Sequence, residues 1–199
     1  MPKGLNQLIT SRLRESSRVI AATARLAPRL AQAGQMLLSA YRAGHQALIF
    51  GNGGSAADAQ HFAAELVARF ARNRPALPAL ALTVNASNLT AVGNDFSFED
   101  VFSRQLQAHA RPGDVAVAIS TSGNSPNVLK AAAMAKRLKL SVIGLTGADG
   151  GKLKDAVDVC IQAPAANVAL VQEAHTAIIH IWCGIIEDGM FPSSPKAHR

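Results

Sequence analysis

Apolar residues along this chain come in two rhythms. Short unbroken runs occur at Ala47-Leu48-Ile49-Phe50, Leu80-Ala81-Leu82, Val115 to Ile119, Val142 to Leu145 and Val159-Cys160-Ile161. Runs of this length without polar alternation read as strands buried on both faces. Between them the apolar positions recur at helical spacing. Helices are expected over 5–43, from Ser55 to about Ala71, from Phe98 to Ala110, from Pro126 to near Lys139, briefly after Gly150-Gly151, and over about 167–188. Pro28 divides the first stretch in two. Strands alternating with helices predict an α/β fold: a five-stranded parallel sheet, doubly wound, with helices on both faces.

One domain is expected. Its N-terminal helices (1–45) pack on the core or on a partner subunit, the sheet occupies 46–190, and a Pro/Ser-rich tail (191–199) frays. Two start signals stand out. Ser55 with Asp58 three residues later fits a capping box. Ser125 precedes Pro126, which suits a first helical position.

Candidate chemistry gathers in two loops, each after a strand and before a helix. The first is Gly51-Asn52-Gly53-Gly54-Ser55-Ala56 and the second Ser120-Thr121-Ser122-Gly123-Asn124-Ser125. Backbone N–H groups, hydroxyls and a helix N-terminus together suit a phosphate monoester. The first loop formally fits a dinucleotide fingerprint, but no acid follows the second strand to hold a ribose, so NAD is rejected. The helix after that loop carries His61, Glu65 and Arg69 at four-residue spacing. The last helix carries Gln172, Thr176 and His180 within a quarter-turn of one another. A carboxylate and an imidazole beside a phosphate cradle point to proton chemistry on a phosphorylated small molecule.

Charge and composition narrow this little. Net charge is +7, and residues 1–50 hold seven Lys/Arg against Glu15 alone. The arginines are spread along helical sequence without interleaved aromatics, so a solvated face is read rather than a nucleic-acid surface. The apolar stretch from Ala174 to Ile186 is too short to span a bilayer, so no membrane is expected. No signal-peptide core follows Met1, and Cys160 and Cys183 make no disulfide framework. Cytoplasm is the expected compartment.

The two loops, with Gly93-Asn94-Asp95, Phe102-Ser103-Arg104-Gln105, Leu145-Thr146-Gly147 and Gln172-Glu173-x-His175, resemble the sugar isomerase (SIS) domain family, in particular its phosphoheptose isomerases. The resemblance covers nearly the whole chain. It implies a flavodoxin-like sheet and a homotetramer with active sites between subunits. It also implies conversion of sedoheptulose 7-phosphate to an aldoheptose 7-phosphate for lipopolysaccharide precursors. A zinc ion on His61, Glu65, Gln172 and His180 is implied, with Glu65 as base and His180 as acid. Phosphate is assigned to Ser120, Thr121, Ser122 and Ser125, and sugar contacts to Asn52, Gly53, Gly54, Asn94 and Asp95, with Glu65 and Gln172 also touching substrate. The chain departs from the family's usual residues at Asn85, Ala86, Ala169 and Leu170. A second resemblance within the fold is to a non-catalytic, DnaA-binding regulator of replication initiation. That regulator typically lacks the glutamate and last-helix histidine present here as Glu65 and His180.

Overall fold

The computed structural model describes residues 3–192. Helix α1 (Lys3–Ala22) passes through a 3-10 turn (Thr23–Leu26) into α2 (Ala27–Arg42), with Pro28 in the first turn of α2. Strand β1 (Ala47–Gly51) leads to α3 (Gly54–Val67) and β2 (Ala79–Ala81). Helices α4 (Ala86–Asp95) and α5 (Ser103–His109) precede β3 (Val115–Ile119). Then come α6 (Pro126–Arg137), β4 (Ser141–Thr146), β5 (Val159–Gln162) and α7 (Val168–Met190). The sheet is parallel throughout, in the order β2-β1-β3-β4-β5. This is the flavodoxin-like arrangement, whose order reverses between β1 and β3.

The strands are apolar because both faces are covered. Every residue of β1 and β3 is buried. Ile49, Val117, Ile143 and Ile161 face a layer made by α2, α3 and α7, with Leu37, Phe62, Leu66 and Trp182 at its centre. Leu48, Phe50, Ala118 and Val142 face α5 and α6 through Phe102, Leu106, Val128 and Ala132. The alternation along each strand follows from its two-residue period.

Four local expectations are corrected. The N-cap of α3 is Gly53, at φ 56°, ψ −121°. Ser55 lies inside the first turn and the Asp58 carboxylate turns to Thr176 of α7, so no capping box forms. The helix ends at Val67 rather than Ala71, which leaves Arg69 exposed beyond it. Residues 86–95 form a helix that the apolar pattern does not signal, because α4 buries none of its residues fully; Asn85 caps it by accepting from the Asn88 N–H at 3.0 Å. The stretch 98–110 is broken into a 3-10 turn (Phe98–Asp100) and α5. The last helix is longer than the apolar stretch within it. α7 is long and apolar enough to cross a membrane, and half of its most apolar 18-residue stretch is buried inside the fold, where it is the central helix. The expected tail falls largely in 193–199, outside the described residues.

Candidate active site

Both loops leave the sheet at its topological switch point, where open α/β sheets bind ligands. Gly51 ends β1 directly opposite Ile119, which ends β3. A Cβ on Gly51 would lie 2.7 Å from the Ile119 carbonyl oxygen and 2.8 Å from the Ser55 Cβ, so only glycine lets the two turns leave this close together. Asn52 and Asn127 then exchange amide hydrogen bonds of 2.8 and 3.0 Å, tying the first loop to the first turn of α6.

The second loop is held from below. The Gly147 N–H donates to the Thr121 carbonyl, and the Leu153 N–H to that of Gly123, both at 2.9 Å. Gly123 adopts φ 65° and a Cβ there would collide with the Gly150 carbonyl. Ser125 is the N-cap residue of α6 by position, but its side chain makes no capping bond. Its hydroxyl instead pairs with that of Ser120 at 3.0 Å, while Ser122 Oγ accepts from the Asn124 N–H at 3.1 Å. The result is a turn of hydroxyls over a helix N-terminus, the chemistry of an anion cradle.

The expected stripe of α7 (Gln172, Thr176, His180) packs along α3, the two helices running parallel, and meets the expected stripe of α3 only at His61. A Cβ on Gly54 would fall 2.1 Å from Gln172 Nε2. One turn on, the Thr176 hydroxyl donates to Asp58 Oδ1 at 3.2 Å. One turn further, His61 Nε2 and His180 Nε2 stand 2.8 Å apart with their rings edge to face. Glu65 Oε1 lies 3.8 Å from His61 Nδ1, on the other nitrogen of that ring. The seam thus starts at the loops and ends at the imidazole pair and the carboxylate.

The seam also contains Asp58, which sequence reasoning assigned to a helix cap. It is buried, and its Oδ2 has no hydrogen-bond partner among the described residues. Burial raises its pKa, against the lowering effect of the Thr176 hydroxyl and nearby His61. Its spacing from Gly54 and His61 was the only signal available. His175, on the far side of α7, is fully buried and shares a 3.1 Å hydrogen bond with the Thr146 carbonyl through Nε2. Desolvation pushes its pKa down to about 4 although the Thr146 carbonyl acts the other way. Asn94 and Asp95 are exposed at the end of α4, hydrogen-bonded to each other at 2.8 Å. A cleft of about 170 Å³ separates Gly51, Asn52 and Gly53 from Thr83, Leu89 and Phe98.

Two ring nitrogens on one tetrahedral zinc stand about 3.3 Å apart, given bonds of about 2.0–2.1 Å. The two Nε2 atoms, at 2.8 Å, are half an ångström from that bite. Among the described residues no three His, Cys, Asp or Glu side chains already converge on one point. The histidine pair comes close to the spacing of two zinc ligands and Glu65 stands beside it, whereas Gln172 lies at the loop end of the seam, against Gly54 and two turns of α7 from His180.

The SIS domain family model matches residues 13–147. A phosphoheptose isomerase of Rhodospirillum rubrum is 53% identical over 164 residues, covering 82% of this chain and 87% of that one. One from Geobacter metallireducens is 49% identical over 188 residues, covering 94% and 100%. The solved phosphoheptose isomerase of Neisseria gonorrhoeae superimposes with a TM-score of 0.87 at 41% identity, covering 92% of this chain and 99% of its own. With this fold, this switch-point cradle and these relatives, the chain belongs to the SIS domain family and, within it, to the phosphoheptose isomerases.

Proposed function

We propose that this chain is the aldose–ketose isomerase that converts sedoheptulose 7-phosphate into an aldoheptose 7-phosphate through an enediol. The α3–α7 seam carries this reading. It sets a carboxylate and two imidazoles at one end and hydroxyl- and glycine-rich loops at the other. The phosphate is bound by Ser120, Thr121, Ser122 and Ser125 with the N–H groups that open α6. Asn52, Gly53, Gly54 and Gln172 orient the sugar, joined by Asn94 and Asp95. Glu65 takes a proton from C1 and returns it to C2. His180 moves the matching proton from the C1 hydroxyl to the C2 oxygen, so the ketose becomes the aldose with no net change in atoms. A positioned acid or base of this kind contributes roughly 10²–10⁴-fold in rate.

Zinc on His61 and His180, with Glu65 beside them, would polarise the carbonyl and hydroxyl oxygens, and the ligand role expected of Gln172 would need its amide to leave Gly54. That Glu65 lies against Nδ1, away from the two Nε2 atoms, supports its service as base. A homotetramer with sites between subunits is supported by apolar surface in this chain. Leu5, Leu8, Ile9 and Leu13 are exposed along α1, as are Phe96 and Phe98 beside α4. The setting proposed is cytoplasmic supply of heptose for lipopolysaccharide.

Incubation with sedoheptulose 7-phosphate in deuterated water, followed by NMR, tests the reading. Aldoheptose 7-phosphate carrying deuterium at C2 is expected, and no product with zinc supplied refutes it. The DnaA-binding alternative gains no support, since the relatives about 50% identical to this chain are phosphoheptose isomerases and Glu65 and His180 are both in place.

A further inference from the structure

Two turns beyond His180, α7 carries Glu187, whose side chain is only 2% exposed. Its carboxylate accepts the N–H groups of Phe70, Ala71 and Arg72 at 3.3, 3.2 and 3.0 Å, and the guanidinium Nε of Arg72 and Arg74 at 3.4 and 3.3 Å. Burial opposes ionisation here, but these donors hold the carboxyl below its usual range. Arg74 is equally buried. It donates Nη2–H to the Glu65 carbonyl and Nη1–H to the Leu66 carbonyl, both at 2.7 Å, and Nη1 also reaches the Pro75 carbonyl at 3.0 Å.

Glu65 and Leu66 belong to the last turn of α3, where carbonyls lack partners within the helix and a cation is favoured. The guanidinium therefore seizes the backbone of the proposed base itself. The carboxylate grips the turn that follows, and that turn sets the Phe70 ring 5.7 Å from the His180 ring. A buried ion pair stabilises a fold little better than apolar side chains of the same volume. What this pair adds is direction, because a planar fork accepts only one placement of the two carbonyls.

We propose that Arg74 and Glu187 are positioning residues for the isomerisation: they hold the Glu65 end of α3 in fixed register with His180 on α7, keeping base and acid at constant separation through turnover. This rests on the roles given to Glu65 and His180 above.

The test compares the full-length wild type, Arg74→Lys and the double variant Arg74→Met/Glu187→Met on sedoheptulose 7-phosphate with zinc, with thermal unfolding measured alongside. Lysine keeps the charge opposite Glu187 but lacks the planar fork that fixes the two carbonyls in one placement. The double variant leaves no lone charge buried. Both variants are expected to unfold cooperatively and to keep KM within about threefold while kcat falls roughly tenfold or more, as for misplacement of a reacting group by part of an ångström. A folded variant whose kcat stays within about threefold of the wild type overturns the proposal. So does a loss of kcat that merely tracks the loss of folded protein. A wild type without turnover overturns the roles of Glu65 and His180 instead, and the positioning role falls with them.

Discussion

Replacing Gly54 with alanine separates stability from activity in this protein. Gly54 opens α3 in a backbone conformation that any L-residue adopts, so the backbone is not strained by the change. The new Cβ would lie 2.1 Å from Gln172 Nε2, 2.7 Å from its Cδ and 2.9 Å from its Oε1. Ordinary contact begins at 3.4 Å, so the amide must retreat by 3.4 − 2.1 = 1.3 Å. The group that moves is the far end of a flexible side chain, and the fold loses little. Alanine in place of glycine favours a helix by at most about 1 kcal/mol, and by less in a first turn. The melting temperature is therefore expected to hold or rise slightly. Turnover is expected to fall about 100-fold, the usual penalty for a shift near 1 Å among groups that position a substrate. That corresponds to roughly 2.7 kcal/mol of lost transition-state stabilisation. Thermal unfolding and kcat/KM on sedoheptulose 7-phosphate measure the two sides. Wild-type kcat/KM in Gly54→Ala would show that Gln172 has no part in the site, and a large fall in melting temperature would refute the packing argument.

Three further outcomes follow from the same geometry. Ser125→Ala removes a hydroxyl whose partner is Ser120 Oγ; with a hydrogen bond to a charged group worth about 1.5–3 kcal/mol, KM is expected to rise about tenfold or more, and inhibition by inorganic phosphate to weaken in parallel. Burial holds His175 neutral, with a pKa of about 4 against 6.5 in the unfolded chain. The unfolded state therefore binds the extra proton between those values, so the stability is complete above pH 6.5 and is lost as pH falls towards 4. The full loss is roughly 3 kcal/mol, and His175→Gln, which keeps a donor for the Thr146 carbonyl, is expected to flatten urea midpoints over that window. If the proposed zinc is bound, a chelator abolishes turnover in the wild type and added zinc restores it, whereas His61→Ala stays inactive when zinc is added back.

Local pattern decided a great deal here. Five apolar runs announced five parallel strands, because a strand covered on both faces has no solvent side to show. Glycine and hydroxyl residues at two strand ends marked the loops, and the stripes of α3 and α7 were legible from helical spacing. Where full burial was absent the pattern failed: α4 lays only Leu89 and Val92, both half-buried, on the core, too few to signal a helix. Where a side chain had two possible partners, the nearer one in sequence was the wrong choice. Asp58 appeared to serve the end of its own helix and instead faces Thr176, 118 residues away. Only the tertiary structure placed β3 beside β1, aligned α3 and α7 in parallel so that His61 meets His180, and brought Glu187 to Arg74 across 113 residues. Periodicity records which side of an element is buried, whereas the identity of the neighbour on that side depends on how the whole chain closes, and no local stretch of sequence carries it.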